Sequence, residues 1–314
     1  MPKVNPPLIA IIGPTASGKS KLALRLAKQF HGVVLSADSQ QLYRGAKIGT
    51  NQPAGKWQVK SGKKKVFTVQ GVPHFFIDTL SPRKQFSAAE FQKQAYSLLK
   101  RFHPVPSTLS PLPFLVGGTP LYISAVVEGY RFPDGKPKVG LRKKLEQKTL
   151  PTLLAELKQR DPQTHQHVDR KNKRRVVRAL EYVLSTGQSF AAAQTRQARP
   201  NTLILGLSPS KAKLRQDITR RARAMLKRGL VRETQTLLRR YPKSPLLQSL
   251  GYRECVSFLM GKLTQNELES AIAAHTWQYA RRQLRWFKRL PNVRWVKNAQ
   301  DAERAVRQFL RTVT

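Results

Sequence analysis

Eight consecutive residues, Gly13, Pro14, Thr15, Ala16, Ser17, Gly18, Lys19 and Ser20, match the phosphate-binding pattern G-x-x-x-x-G-K-[ST] in full. The two glycines let the backbone curl until successive N–H groups converge on phosphate oxygens. The lysine adds a point charge, and the last hydroxyl can ligate Mg2+. Asp38 is the second candidate. It follows the apolar run Val33–Ser36, at the strand end where open α/β sheets bind ligands. There it either helps to hold Mg2+, takes a proton from an incoming nucleophile, or is a plain turn aspartate. Ser39, Gln40, Gln41, Tyr43 and Arg44 follow, and amide, aromatic and guanidinium groups suit a nucleobase better than a triphosphate. Gly117-Gly118-Thr119 is a second glycine turn leading into a helix. Its threonine either faces the same site or simply caps the turn.

The elements that must carry these residues alternate between strand and helix. Leu8 to Ile12 reads as a buried strand, and the helix from Lys19 has Leu22, Leu24, Leu26 and Ala27 as its apolar positions. Val33–Ser36 is a second strand, Phe86 to about Phe102 a helix, and Phe114–Val116 a third strand. This order predicts an α/β fold with a doubly wound parallel sheet. The polar, basic stretch Gly55–Lys65 reads as an exposed loop or ragged hairpin.

Past Gly129 the composition changes, and from Pro133 to about Pro200 the text is helical and polar. Val176, Val177, Leu180, Val183 and Leu184 repeat at helical spacing, closed by Gly187. Strand text returns at Leu203–Leu207. Residues 1–130 and 200–314 are therefore expected to form the core, with 131–199 an inserted all-helical domain. The C-terminal part is helix-rich, with a capping box at Thr264–Glu267 opening a long helix to about Arg289.

Charge narrows the class of partner. The 314 residues carry 58 Lys and Arg against 17 Asp and Glu, a net +41, which implies a polyanion, nucleic acid first. Arg170–Arg175 with Arg178 crowd one helix start. Arg281, Arg282, Arg285, Lys288 and Arg289 share one side of the last long helix, and Trp277, Ala280, Leu284 and Phe287 another. The basic side suits a phosphate backbone; a solvated face or a membrane-surface helix is the alternative. One cysteine, Cys255, excludes an intramolecular disulfide framework, and the six histidines lack paired metal-ligand spacing. His74 reads as structural or as a pocket wall. Met1–Asn5 carry no signal-peptide pattern, and no apolar run approaches the roughly 18 residues of a membrane span, so a cytoplasmic protein is expected.

The blocks "GPTASGKS", "ADSQQLYRGAKIGT", "GVPHFFID", "FSAAEF", "VGGTPLYI", "RRVVRALEYVLSTGQS", "LGYRE" and "TWQYARRQLRWFKR", in this order, resemble the tRNA dimethylallyltransferase (tRNA isopentenyltransferase) family. The resemblance implies a P-loop NTPase-like core with a helical insertion. It implies transfer of a dimethylallyl group from dimethylallyl diphosphate to N6 of adenosine 37 in the tRNA anticodon stem-loop, by a monomer. Gly13 to Ser20 and Arg221 would hold the diphosphate, with Mg2+ at Ser20. Asp38 would be the base and Thr119 would line the reaction channel. Asp38, Ser39, Gln40, Gln41, Arg174, Arg175, Val176, Val177, Arg178, Gln248, Ser249, Leu250, Gly251, Tyr252 and Arg253 would contact tRNA. Thr119 and Arg142 would lie near the extruded base, and the cluster of Arg281, Arg282 and Arg285 would meet phosphates.

Three departures stand out. Asp217 occupies a position that is generally arginine in the family; if that arginine contacts diphosphate, Arg215 or Arg220 must substitute or turnover suffers. The segment Gly55–Val69 is longer, and Phe75 replaces a common second histidine. Three rival readings remain: a small-metabolite kinase, which leaves the basic clusters unexplained; an RNA-binding protein with a merely structural loop; and prenyl transfer to a free adenine nucleotide.

Overall fold

The computed structural model describes residues 6–60, 64–102, 111–132 and 139–313. The N-terminal segment Met1–Asn5, the expected insertion start at Pro133, Lys63 of the basic stretch and most of the Pro- and Ser-rich connection after Phe102 lie outside them. Two compact units emerge, residues 1–127 with 199–314, and residues 128–198.

The larger unit is built on one sheet. Its strands are β1 (Leu8–Ile12), β2 (Val33–Ser36), β3 (Lys56–Lys60), β4 (Lys64–Val69), β5 (Val72–Phe75), β6 (Pro113–Gly117), β7 (Thr202–Gly206) and β8 (Val293–Trp295). They lie in the order β3-β4-β5-β2-β6-β1-β7-β8. From β5 to β8 every pairing is parallel, whereas β3, β4 and β5 pair antiparallel. The sheet is thus mixed rather than wholly parallel. The stretch expected as a loop or ragged hairpin is a paired edge ribbon, because Trp57 with Val59 and Phe67 with Val69 supply the alternation a strand needs. Every residue of β1 is buried, as a strand covered on both faces requires.

On one face, Ile9, Ile11, Val34, Phe114 and Val116 pack with Leu22 and Leu26 of α1 (Lys19–Gln29) and with Val306 of the C-terminal helix Ala299–Val313. Helix α2 (Ala88–Leu99) starts at a capping box of Ser87 and Glu90, and α3 (Pro120–Val127) follows β6.

The smaller unit is helical: α4 (Val139–Gln147), α5 (Leu150–Arg160), α6 (Pro162–His167), α7 (Lys173–Thr186) and α8 (Phe190–Ala193). Its core is Leu145, Leu153, Leu157, Val176, Val177 and Leu180. Val176 and Val177 are 0% and 1% exposed, so the expectation that these side chains touch tRNA is corrected. The spacing that marks them as helical also turns them inward, while Arg174 and Arg175 are exposed. Gly187 ends α7 at φ 70°, the left-handed cap that glycine adopts without strain.

In the larger unit the chain continues through α9 (Lys211–Lys227), α10 (Leu230–Arg240), α11 (Tyr252–Leu259) and α12 (Gln265–Phe287). Thr264 and Glu267 form the expected capping box of α12. Among the described residues no helix is long and apolar enough to cross a membrane.

Candidate active site

The loop Gly13–Ser20 joins β1 to α1, as its pattern requires. Gly18 caps α1 at φ 84°, a conformation that costs a residue with a Cβ about 1–2 kcal/mol. The first turn of α1 thereby presents its N–H groups to the carboxyl edge of the sheet, where Asp38 stands at the end of β2. Gly117 lets the two edges meet, since a Cβ there would collide with the Ala37 carbonyl.

A cleft of about 910 Å3, counted with its open mouth, lies over this edge. Thr15, Lys19, Ser20, Asp38, Gln40 and Gln41 border it on one side, and Arg221, Tyr279 and Gln283 on the other. Lys19 Nζ donates to the Pro14 carbonyl at 2.8 Å. Burial pushes its ammonium down to about 8, against the opposing pull of Asp38, with Arg221 lowering it further. Burial likewise lowers Arg221, with Asp38 opposing. Its Nη1 donates to Thr15 Oγ1 at 3.0 Å. Two half-buried cations thus stand at a cleft that asks for an anion. Elsewhere in the loop, Ser17 Oγ is buried against Gly13 without a hydrogen-bond partner.

Asp38 Oδ1 accepts the Gln40 N–H at 2.9 Å. Thr119 Oγ1 accepts the Ser39 N–H at 3.0 Å and donates to Ser39 Oγ at 3.3 Å. The Thr119 hydroxyl thus holds the turn that carries Asp38 and also bonds Tyr279, which borders the cleft beside Gly118.

Gln283 and Tyr279 were missed from sequence. Gln283, 2% exposed, accepts the Thr15 N–H through Oε1 at 2.8 Å and donates through Nε2 to the Gly118 carbonyl. One amide on α12 thereby joins the two glycine turns. Burial raises the Tyr279 phenol to about 12, with Asp38 adding to the rise and bonds to Gln283 and Thr119 opposing it. The signal was present: Thr276, Tyr279 and Gln283 recur at helical spacing between the basic and apolar sides of α12, and all three border the cleft. Gln283→Ala leaves the Thr15 N–H and Gly118 carbonyl without their partner. We expect a stability loss of about 1–3 kcal/mol in thermal denaturation, and a roughly 10- to 100-fold loss of kcat/KM from the misplaced loop.

The remaining expectations divide. Leu250 and Gly251 border the cleft, Gln248 and Arg253 are exposed, and Ser249 is half-buried. Tyr252 is fully buried and its hydroxyl donates to Glu233 Oε1 at 2.7 Å, so direct tRNA contact by this ring is corrected. Tyr43, read as a stacking ring, is 7% exposed and belongs to the core. Arg281, Arg282 and Arg285 are exposed on α12, and Lys288 and Arg289 just past its end, while Ala280 and Phe287 are buried. Neither Arg215 nor Arg220 replaces the missing arginine: Arg215 stacks over Trp277 at 4.8 Å, and Arg220 pairs with Asp217 itself. In the helical unit, Arg178 pairs with buried Glu181 at 3.0 Å and Arg142 with Glu146 at 3.3 Å. His74 is buried, with Nδ1 2.9 Å from the Val72 carbonyl. Burial pushes the Cys255 thiol up to about 11, which keeps it protonated.

The chain is similar to known proteins over most of its length. The sequence profile described as IPP transferase matches residues 41–290. A tRNA dimethylallyltransferase of Thermomicrobium roseum is 39% identical over 296 residues, covering 92% of this chain and 85% of the relative. Among solved structures, the full-length tRNA isopentenylpyrophosphate transferase of Bacillus halodurans superposes with a TM-score of 0.68 at 32% identity, over 98% of this chain and 96% of that one. A eukaryotic dimethylallyltransferase acting on tRNA shares the fold, with a TM-score of 0.79 at 23% identity over 98% of this chain and 80% of that one.

Proposed function

The chain belongs to the IPP transferase family, and on that premise we propose that it transfers a dimethylallyl group from dimethylallyl diphosphate to N6 of adenosine 37 of tRNA, releasing diphosphate. One observation carries the reading. A cationic cradle suited to a leaving group and a carboxylate flanked by amides border the same cleft.

The loop from Gly13 to Ser20 acts as a P-loop, with Lys19 and Arg221 beside it, and holds the diphosphate while negative charge builds on the departing oxygen. N6 attacks the allylic carbon, so a carbon–nitrogen bond forms as the carbon–oxygen bond breaks. The N6 proton passes to the Asp38 carboxylate, and diphosphate leaves with the electron pair. Ser20 Oγ, a hard oxygen donor at the cleft, suits Mg2+ held largely by diphosphate and water. When bound, the ion would neutralise charge on the leaving group.

The adenine must leave its stack to enter, which costs a few kcal/mol. Phosphate contacts offset that cost, from exposed Arg281, Arg282 and Arg285 on α12, from Gln248 and Arg253, and from Arg174 and Arg175 in the helical unit. The anticodon stem-loop is the part recognised, by a monomer, in the cytoplasm where tRNA matures.

The test is direct. Protein, Mg2+ and labelled dimethylallyl diphosphate are incubated with unmodified tRNA carrying adenosines at 36 and 37. Label on the tRNA supports the reading; consumption of ATP with no label on RNA transfers it to a kinase. If six or more phosphates are met, tRNA affinity should fall at least about 10³-fold between roughly 50 and 200 mM salt. A flat titration would remove the role given to the arginines.

A further inference from the structure

The β3–β4 hairpin takes no part in the chemistry above, yet the sheet brings it to the edge where that chemistry occurs. β4 runs antiparallel to β5, with Phe67 opposite His74 and Val69 opposite Val72. β5 is parallel to β2, whose carboxyl end leads into Asp38. The residues of β4 before Val66 and their β3 partners therefore extend past the end of β5, toward the edge that holds the cleft. One acid ties the ribbon's root to the rim of that cleft. Asp78 Oδ2 accepts from Trp57 Nε1 at 3.4 Å. Its Oδ1 accepts the Gly45 N–H at 3.2 Å, in the loop that brings Gln40 and Gln41 to the cleft.

The cross-strand pairs Trp57–Phe67 and Val59–Lys65 share one face of the ribbon. At its inner end Phe67 sits in a small core with Val69 and Ile77, and the Trp57 ring leans on it edge-on at 5.7 Å. At its outer end the face is open: Trp57 is 42% exposed, Val59 68%, and Lys65 is exposed. Exposed Arg44 and Lys47 belong to the adjoining rim loop. The nearby acids are occupied. Asp78 serves the two donors just named, and Glu233 accepts the N–H groups of Lys47, Ile48 and Gly49 and the Tyr252 hydroxyl. Lysine on an edge strand also deters strand-to-strand aggregation. That accounts for the charge and not for the large apolar surface left open beside it. A cation next to an open indole matches a phosphate next to a base.

We propose that this ribbon face is a second RNA-contact arm, in which Lys65 meets a tRNA phosphate and Trp57 packs on a nucleoside of the RNA entering the cleft. The assignment rests on the tRNA reading above. Lys56 projects from the opposite face and serves as the internal control.

Binding of unmodified tRNA by Lys65→Gln, Trp57→Ala and Lys56→Gln is measured across a salt series. Lys65→Gln should lower the slope of log affinity against log salt by about 1. Trp57→Ala should weaken binding roughly tenfold at every salt concentration with the slope retained. Lys56→Gln should bind as wild type, and turnover at saturating tRNA should be unchanged in all three. Lys65→Gln lies on open surface, so it keeps the test valid if Trp57→Ala loosens the ribbon. Wild-type binding by both face variants would overturn the arm while leaving prenyl transfer intact. An equal loss in Lys56→Gln would replace the directed face with diffuse charge. A wild-type protein that transfers no label fails the tRNA reading instead.

Discussion

Asp38→Asn should lower kcat by about 10²–10⁴-fold, the contribution of a positioned general base, with tRNA affinity close to wild type. Asparagine keeps the oxygen that accepts the Gln40 N–H, and Thr119 still holds Ser39, so the turn survives while the proton acceptor is lost. The substitution also removes the anion that favours charge on Lys19. The pH at which diphosphate binding weakens should therefore move down. Single-turnover transfer of labelled dimethylallyl to tRNA, with binding measured separately, checks both points. Transfer at the wild-type rate would remove Asp38 from the chemistry.

The second large effect belongs to Lys19. Removing its charge with Lys19→Met should cost roughly 10²–10³-fold in kcat/KM for the prenyl diphosphate, comparable to losing a preorganised electrostatic contact at a developing oxyanion. The pH dependence is more diagnostic. Lys19 ionises at about 8 in the folded protein, against 10.5 in an exposed chain, chiefly because burial disfavours the ammonium. With no anion bound, holding that charge costs stability in full below about pH 8, and the cost disappears as pH rises from 8 toward 10.5.

A bound diphosphate supplies the missing counter-charge and favours the protonated form. Its affinity should accordingly fall above pH 8, by at most about tenfold per pH unit, and this dependence should vanish in Lys19→Met. The same variant, without ligand, should melt at a higher temperature than wild type near pH 7. Binding titrations and thermal scans across pH 6–10 measure both. A lower melting temperature would mean that the ammonium is well satisfied by the Pro14 carbonyl alone.

Much of this was legible in the chain. The phosphate loop, the strand before it and the helix after it follow from glycine placement and apolar runs. Thr264 with Glu267, and Gly187, each marked a helix terminus by local hydrogen-bonding chemistry, and each does so in the structure. The edge strand β8 (Val293–Trp295) was not legible, since three residues with half-buried or exposed side chains carry little periodicity. Residues quoted in family blocks were harder to assign. Tyr43, Val176, Val177 and Tyr252 sit in sequence beside residues expected to contact tRNA yet point into cores, because neighbours on a helix or turn face opposite ways.

The sequence by itself determined the local chemistry: a loop with the phosphate-binding pattern, an acid at a strand end, a surplus of positive charge, and the places where helices begin. These depend on residue type and short spacing, which a linear text carries. Only the tertiary structure decided which distant groups meet. Gln283 reaches Thr15 and Gly118 across 268 and 165 positions. Arg221 reaches Thr15 across 206, and Arg215 and Arg220 turn to other partners. Thr119 became the support of Asp38's turn because β6 lies beside β2 in the sheet. Such meetings are set by how helices and strands pack, and packing is a property of the whole core rather than of any stretch within it.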